Sequence, residues 1–238
     1  MAGIAAALSA VGQFYRVSEI RHLRRLVRQL DIDCIFDVGA NTGQYASMLR
    51  RWVGFRGDII SFEPNPMVAE TLNKNCAGDR RWRHEAVALS HTTGTVSFNL
   101  TNDTQFGSVE QPNLDETSAL RQNLQVKRVI AVTSETLDDA FDRLSSDIGF
   151  ARPMLKMDTQ GHDLSVFRSG PKNAKKFVAL QSELSFVPFY EQVPLYHESI
   201  QEYQDAGFQL NSIFQNNRGH FPYLREMDCI MVNRDIVT

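Results

Sequence analysis

Apolar residues along the chain come in short runs that end at glycine, proline or an acid, and these runs alternate with stretches of helical periodicity. Ile20, Leu23, Leu26, Val27 and Leu30 recur at helical spacing with Arg21, Arg24, Arg25 and Arg28 on the other faces, which predicts an amphipathic helix. This helix packs on the domain edge or a second subunit, a possible homodimer contact, or docks loosely on an acidic surface. Residues 34–39 read as a buried strand, 40–43 as a loop and 44–53 as a helix. A second strand over 58–62 closes at Glu63-Pro-Asn-Pro66, and a helix over 67–75 follows, proline being well suited to a helix start. Strands are predicted over 82–89, 94–100 and 126–132, the second showing the alternation Val96, Phe98, Leu100. Between them, 101–125 is polar, broken by Gly107 and Pro112, and reads as a long functional loop able to close over a substrate.

Ser134 is expected to cap a helix over 135–144. Met154 to Met157 reads as a strand ending at Asp158, followed by a helix through Leu164, Val166 and Phe167, a strand over 177–184 and a helix over 196–205. An antiparallel hairpin of 208–214 and 229–232 is joined by a polar turn at 216–219. Strands alternating with helices predict a Rossmann-like α/β domain over 34–238, its sheet mostly parallel with helices on both faces, after a helical extension over 1–33.

Composition changes this picture little. The 238 residues can bury a full core, and a net charge of −3 gives no broad field to draw in nucleic acid or an anionic membrane. No apolar run of about 20 residues predicts an integral membrane segment. The first residues lack the basic start of a secretory signal. Cys34, Cys76 and Cys229 lack CxxC spacing and read as buried free thiols, so a cytoplasmic protein is expected.

Chemistry enters at Asp37-Val-Gly39-Ala40-Asn41-Thr-Gly43, between a strand and the helix that opens at Gln44. Glycines there let a ligand approach the backbone and the helix's free N–H groups. The dinucleotide fingerprint GxGxxG is missing, and Asp37 would repel a pyrophosphate, which makes a nicotinamide oxidoreductase the weakest reading. An acid suits instead the positive end of S-adenosylmethionine. Glu63 ends the next strand, where such folds place the carboxylate that takes ribose hydroxyls.

The stretch Phe36-Asp-Val-Gly-Ala-Asn-Thr-Gly-Gln44, the segment Ser61-Phe-Glu-Pro-Asn65, Ala88-Leu-Ser90 followed by Gly94, and the block Leu155-Lys-Met-Asp-Thr-Gln-Gly-His-Asp-Leu164 together resemble the FkbM family of methyltransferases. The resemblance implies a class I methyltransferase fold with a mostly parallel seven-stranded sheet and a C-terminal antiparallel hairpin. It implies O-methylation of sugars, glycans or related natural products by S-adenosylmethionine, with S-adenosylhomocysteine as product. It implies that Asp37, Gly39, Ala40, Asn41, Gly43 and Gln44 line the methionine end, that Glu63 with Pro64 holds the ribose, and that His84 or Glu85 meets the adenine. Gln160 and Asp163 stand where many members carry glutamate, so an acid role at 160 is removed.

An alcohol acceptor is a weak nucleophile that a positioned base would help by about 10² to 10⁴-fold. Asp158, at the carboxyl edge of the sheet, is the first choice, and it would also touch the cofactor. Lys156 shares its sheet face and serves as its charge partner or in the chemistry. His162 is a base or a shaping and capping residue, and Glu183 is expected to open on the same cleft. No resident metal is expected, although Asp158, Glu183 and His162 offer ligand types for a divalent ion. The aromatics Phe186, Phe189, Tyr190 and Tyr196 suit a sugar platform or an apolar lid. Rival readings are N- or carboxyl-methylation of a small molecule, and a cofactor-binding scaffold without catalysis.

Overall fold

In chain order the elements are α1 (Ala2–Gln29), β1 (Cys34–Val38), α2 (Gln44–Met48), β2 (Asp58–Phe62), α3 (Pro66–Cys76), β3 (Trp82–Glu85), β4 (Ala88–Leu89), β5 (Gly94–Thr101), β6 (Val126–Glu135), α4 (Leu137–Ile148), β7 (Pro153–Met157), α5 (Asp163–Arg168), β8 (Ala179–Ser185), α6 (Tyr196–Asp205), β9 (Phe208–Gln215) and β10 (Glu226–Asn233). They are taken from a computed structural model that describes residues 2–113, 124–191, 193–215 and 223–237, apart from the side chains of 2–15. The predicted turn at 216–219 and residues 114–123 of the predicted loop lie outside the described residues.

Seven strands form one sheet in the order β3-β2-β1-β7-β8-β10-β9. It is parallel from β3 to β8, and β10 runs antiparallel to both β8 and β9. The winding reverses between β1 and β7, so their carboxyl ends open a crevice where ligands of such sheets bind. Both strands are buried along their whole length, which is why they read as unbroken apolar runs. One face sets Phe36, Leu155 and Met157 against Phe141 of α4 and Leu164 of α5. The other sets Ile35, Ile59 and Met154 against Leu23, Leu26 and Val27 of α1 and Ala46 of α2. The expected extension over 1–33 therefore shares a core with the sheet through the second half of α1. All three cysteines are free and buried, and among the described residues no helix is long and apolar enough to cross a membrane.

Several predicted elements take a different course. The run 82–89 splits in two, because β2 leads into Glu63-Pro-Asn-Pro66 just beyond the last paired residues, Phe62 and Glu85, and a proline offers no N–H to extend a ladder. The chain then crosses over as β4, which joins β5 and β6 in a separate three-stranded sheet, β4-β6-β5. Ser134 stays in β6 and donates to the Thr92 carbonyl, while Thr136 caps α4 by accepting from Asp139 N at 3.1 Å. The helix expected over 44–53 is α-helical only to Met48 and continues as a π-helical turn through Leu49–Val53.

Gly39 shows what close packing at the crevice demands. It has φ of +77°, and a Cβ there would lie 1.9 Å from the Asp158 carbonyl oxygen. Gly54 has nearly the same backbone, φ +79°, with no heavy atom within 4 Å of the position. Gly54→Ala should therefore lose only the left-handed penalty of about 1–2 kcal/mol, whereas Gly39→Ala should lose about 3 kcal/mol or more. Urea denaturation of the two variants checks this; equal losses would mean that contact with Asp158 does not hold the loop.

Candidate functional site

The glycine loop is fixed to β2 by its own backbone: Gly39 and Ala40 N–H both donate to the Phe62 carbonyl, at 3.0 and 3.1 Å. Asn41 follows with φ of +48°, and its N–H donates to Glu63 Oε2 at 2.7 Å. Glu63 Oε1 accepts from Asn65 N at 2.8 Å, and Asn65 in turn caps α3, where Pro66 occupies the first turn. The Glu63 carboxyl is thus pinned between two elements. Burial pushes it up to about 7, and the two backbone donors only partly oppose that shift.

Asp37 lies beneath the loop and is fully buried. Lys156 Nζ stands 3.1 Å from its Oδ1, and Ser61 Oγ donates to its Oδ2 at 3.2 Å while accepting from Trp82 Nε1 at 2.9 Å. The Lys156 ammonium also lies 3.7 Å from Asp158 Oδ2 and 5.2 Å from the centre of the Tyr45 ring. Burial alone would lower its pKa, but Asp37 and Asp158 outweigh that and hold it above the ordinary lysine value. The Asp158 side chain is 41% exposed, so of the three charges it is the one open to the crevice.

Gln160, with φ of +55°, sits over Asp158. Its Nε2 donates to Asp158 Oδ1 at 2.9 Å and reaches Glu183 Oε2 at 3.4 Å, and its Oε1 accepts from Tyr190 Oη at 3.1 Å. A glutamate here would have neither donor, so the amide bridges two neighbouring carboxylates that a third acid would repel. Burial and the nearby Glu226, Asp158, Asp228 and Asp163 push Glu183 well above the usual carboxylate range. Asp163 accepts from the N–H and hydroxyl of Thr159, the Ser182 hydroxyl and Glu183 N, so it braces the loop after β7.

His162 is buried, with Nδ1 at 2.7 Å from Glu110 Oε1 and Nε2 at 3.1 Å from Ser90 Oγ. A carboxylate, an imidazole and a hydroxyl in line mimic a hydrolase relay. Ser90, however, is fully buried and spends its N–H on the Glu135 carbonyl, leaving neither access nor an oxyanion donor at the hydroxyl. His162 begins α5 without capping it through its side chain. Both ring nitrogens are engaged, and among the described residues no group of three or more His, Cys, Asp or Glu is arranged to hold a metal ion.

Over the crevice lies a cleft, partly open to solvent, with about 510 Å³ of empty space, bounded by Gly39, Asn41, Glu63, Pro64, Asp158 and His162. The rest of its lining is largely apolar and includes Phe62, Val87 to Leu89, Phe98 and Val109. Of the residues expected at the site, Asp37, Ala40, Gly43, Gln44, His84, Glu85, Lys156 and Glu183 stand outside this lining. His84 instead bridges Asn73 Oδ1 and the Glu63 carbonyl, at 2.8 and 3.0 Å, and Glu85 pairs with Arg143 at 3.3 Å. The Phe186 and Tyr196 rings stack at 4.3 Å, and Phe189 and Tyr190 are buried with Leu124, all outside the lining. Thr104, Gln105 and Val109 belong to the loop 101–125 expected to close over a substrate, whereas Val87 and Phe98 read only as strand residues, and nothing along the chain marks them as neighbours of Glu63.

Comparison with known proteins adds to this geometry. The model of the methyltransferase FkbM domain matches residues 37–210. The 2-O-methyltransferase NoeI of Sinorhizobium fredii (strain NBRC 101917 / NGR234) is 30% identical over 174 residues, covering 68% of this chain and 67% of that protein. Among solved structures, the METTL16 MTase domain shares the fold at a TM-score of 0.52 and 10% identity, over 92% of this chain and 67% of that one. Aeropyrum pernix fibrillarin, in complex with S-adenosyl-L-methionine, gives a TM-score of 0.45 at 14% identity, over 84% of this chain and 66% of that one. The chain therefore spans about two thirds of the length of these relatives. With the family's domain running from the acid before the glycine loop to β9, this chain belongs to the FkbM family of S-adenosylmethionine-dependent methyltransferases.

Proposed function

We propose that the chain transfers a methyl group to a hydroxyl of a saccharide or a related natural product. One observation carries the reading: two carboxylates, Glu63 at the end of β2 and Asp158 at the end of β7, line one cleft on either side of the glycine loop. S-adenosylmethionine supplies an electrophilic methyl on a sulfonium whose departure leaves a neutral thioether. The cleft fits it by chemistry. Glu63 offers its remaining lone pairs to ribose hydroxyls, the apolar wall of Phe62, Val87, Leu89, Phe98 and Val109 suits an adenine, and Gly39 to Asn41 with Asp158 suits the cationic methionine end. Asp37 works from below through Lys156, which keeps Asp158 oriented.

Asp158 is assigned the proton of the acceptor hydroxyl as the new C–O bond forms and the C–S bond breaks. Gln160 holds Oδ1 of that carboxylate, and Oδ2, which also lies 3.7 Å from Lys156 Nζ, is the oxygen assigned to the acceptor. A hydroxyl is favoured over an amine because a neutral alcohol needs such a base, and because the relative named a 2-O-methyltransferase aligns with most of the domain. A screen of sugars, amines and small carboxylates with methyl-labelled cofactor tests the acceptor class; label appearing only on nitrogen or carboxylate would overturn it.

Two further outcomes are expected. Asp158→Asn should lower kcat by about 10² to 10⁴-fold and, because the carboxylate faces the cationic end of the cofactor, weaken cofactor binding as well; an unchanged kcat would remove Asp158 from the chemistry. Glu63, raised to about 7, accepts ribose hydroxyls best when ionised, so cofactor affinity measured by calorimetry should fall as pH drops through 7. Glu63→Gln should bind about 10- to 100-fold more weakly at pH 8 and lose that pH dependence. In the apo protein the sign is opposite: an acid whose folded pKa is raised binds protons more readily folded than unfolded, so Glu63 makes stability fall as pH rises from about 4.5 to about 7. The Gln variant should therefore flatten that decline in thermal melts.

A further inference from the structure

The outer wall of the cleft comes from the segment between β5 and β6, yet its anchors belong to the cofactor-side loops. Asn41 Nδ2 donates to the Thr104 carbonyl at 3.0 Å, and Tyr190 Oη reaches the Phe106 carbonyl at 3.3 Å. Ser108 Oγ lies within hydrogen-bond distance of the Thr159 and Gln160 carbonyls, at 3.1 and 2.8 Å. Among the described residues, the segment's ionisable tie to the loop after β7 is Glu110 to His162, the shortest of these contacts at 2.7 Å. His162 is buried and is held on its other nitrogen by Ser90, at the end of β4. The imidazole thus joins the loop after β7 to the chain after β4 and to the segment after β5.

We propose that Glu110 is a positioning residue: by holding His162, it fixes residues 104–110 as the wall that closes the cofactor cleft. The effect reaches the cofactor through Asn41. Its side chain holds the Thr104 carbonyl while its N–H holds Glu63 Oε2, so a wall that swings away also slackens the carboxylate assigned to the ribose. The distance from Glu110 to the methyl acceptor plays no part in this role. The inference rests on the cofactor occupying this cleft. Titration of the wild type and of Glu63→Gln tests that assignment, and the Glu110 variants test the wall alone.

The experiment is calorimetric titration of S-adenosylmethionine into wild type, Glu110→Ala, Glu110→Gln, His162→Ala and the Ala/Ala double variant, with amide hydrogen exchange over 104–110. Glu110→Ala is expected to weaken binding about tenfold and to speed exchange in 104–110 while β1, β2 and β7 stay protected. Glu110→Gln retains an acceptor oxygen and should stay within about threefold of wild type. The double variant should bind no more weakly than the worse single one, since both remove one interaction. Should Glu110→Ala fail to fold, Glu110→Asp, too short to span the contact, carries the same expectation. Wild-type affinity with unchanged exchange in the Ala or Asp variant, or additive losses in the double variant, would overturn the proposal.

Discussion

Lys156 and Asp37 face each other across the two central strands, in register, at the point where the sheet changes direction. Removing two charges from water costs several kcal/mol per ion, which only close geometry and further partners offset. Those partners exist: Ser61 with Trp82 beneath Asp37, and Asp158 and the Tyr45 ring around Lys156. A pair of this kind tolerates little displacement. It therefore fixes the register of β1 against β7, and with it the height at which Gly39 meets the Asp158 carbonyl. The glycine loop, the Asp158 carboxylate and the mouth of the crevice all hang from that contact.

The second sheet turns an open crevice into a cleft. Chain leaving β3 has no further partner in the main sheet, so β4 to β6 form a small sheet of their own before α4 returns to the core. The segment leaving β5 is tied back to three separate loops, at Asn41, at residues 159–162 and at Tyr190, which hold it against the cleft. Asp158 at the end of β7 and Asp228 in β10 both feel the buried Lys156, and the Gln160 amide bridges Asp158 and Glu183. That distribution leaves Asp158 the exposed acid of the group and keeps Glu183 high in pKa.

Much of the fold was legible because the central strands are buried on both faces and bounded by glycine, proline and acids, a pattern that few other elements produce. The glycine loop, Glu63 and the Lys156-Met-Asp158 block were legible for the same reason: each sits at a strand end, where position in the chain translates directly into position at the crevice. The split of the run 82–89 and the shift of the α4 cap from Ser134 to Thr136 were not. They depend on which strand a residue finds beside it, and local pattern carries no record of that.

The sequence by itself determined the alternating architecture, the binding loop with its two carboxylates at strand ends, and the kinship that follows from them. Only the tertiary structure decided how those groups divide the labour. It put Asp37 beneath the loop against Lys156, turned His84 to the Glu63 carbonyl, closed His162 between Glu110 and Ser90, and brought Phe98 and Val109 to the cleft. The physical reason is range. Strand, turn and cap preferences act over a few residues, whereas burial, charge pairing and closure of the cleft join residues as far apart as 41 and 104 or 110 and 162, whose meeting is fixed only when the whole sheet is in place.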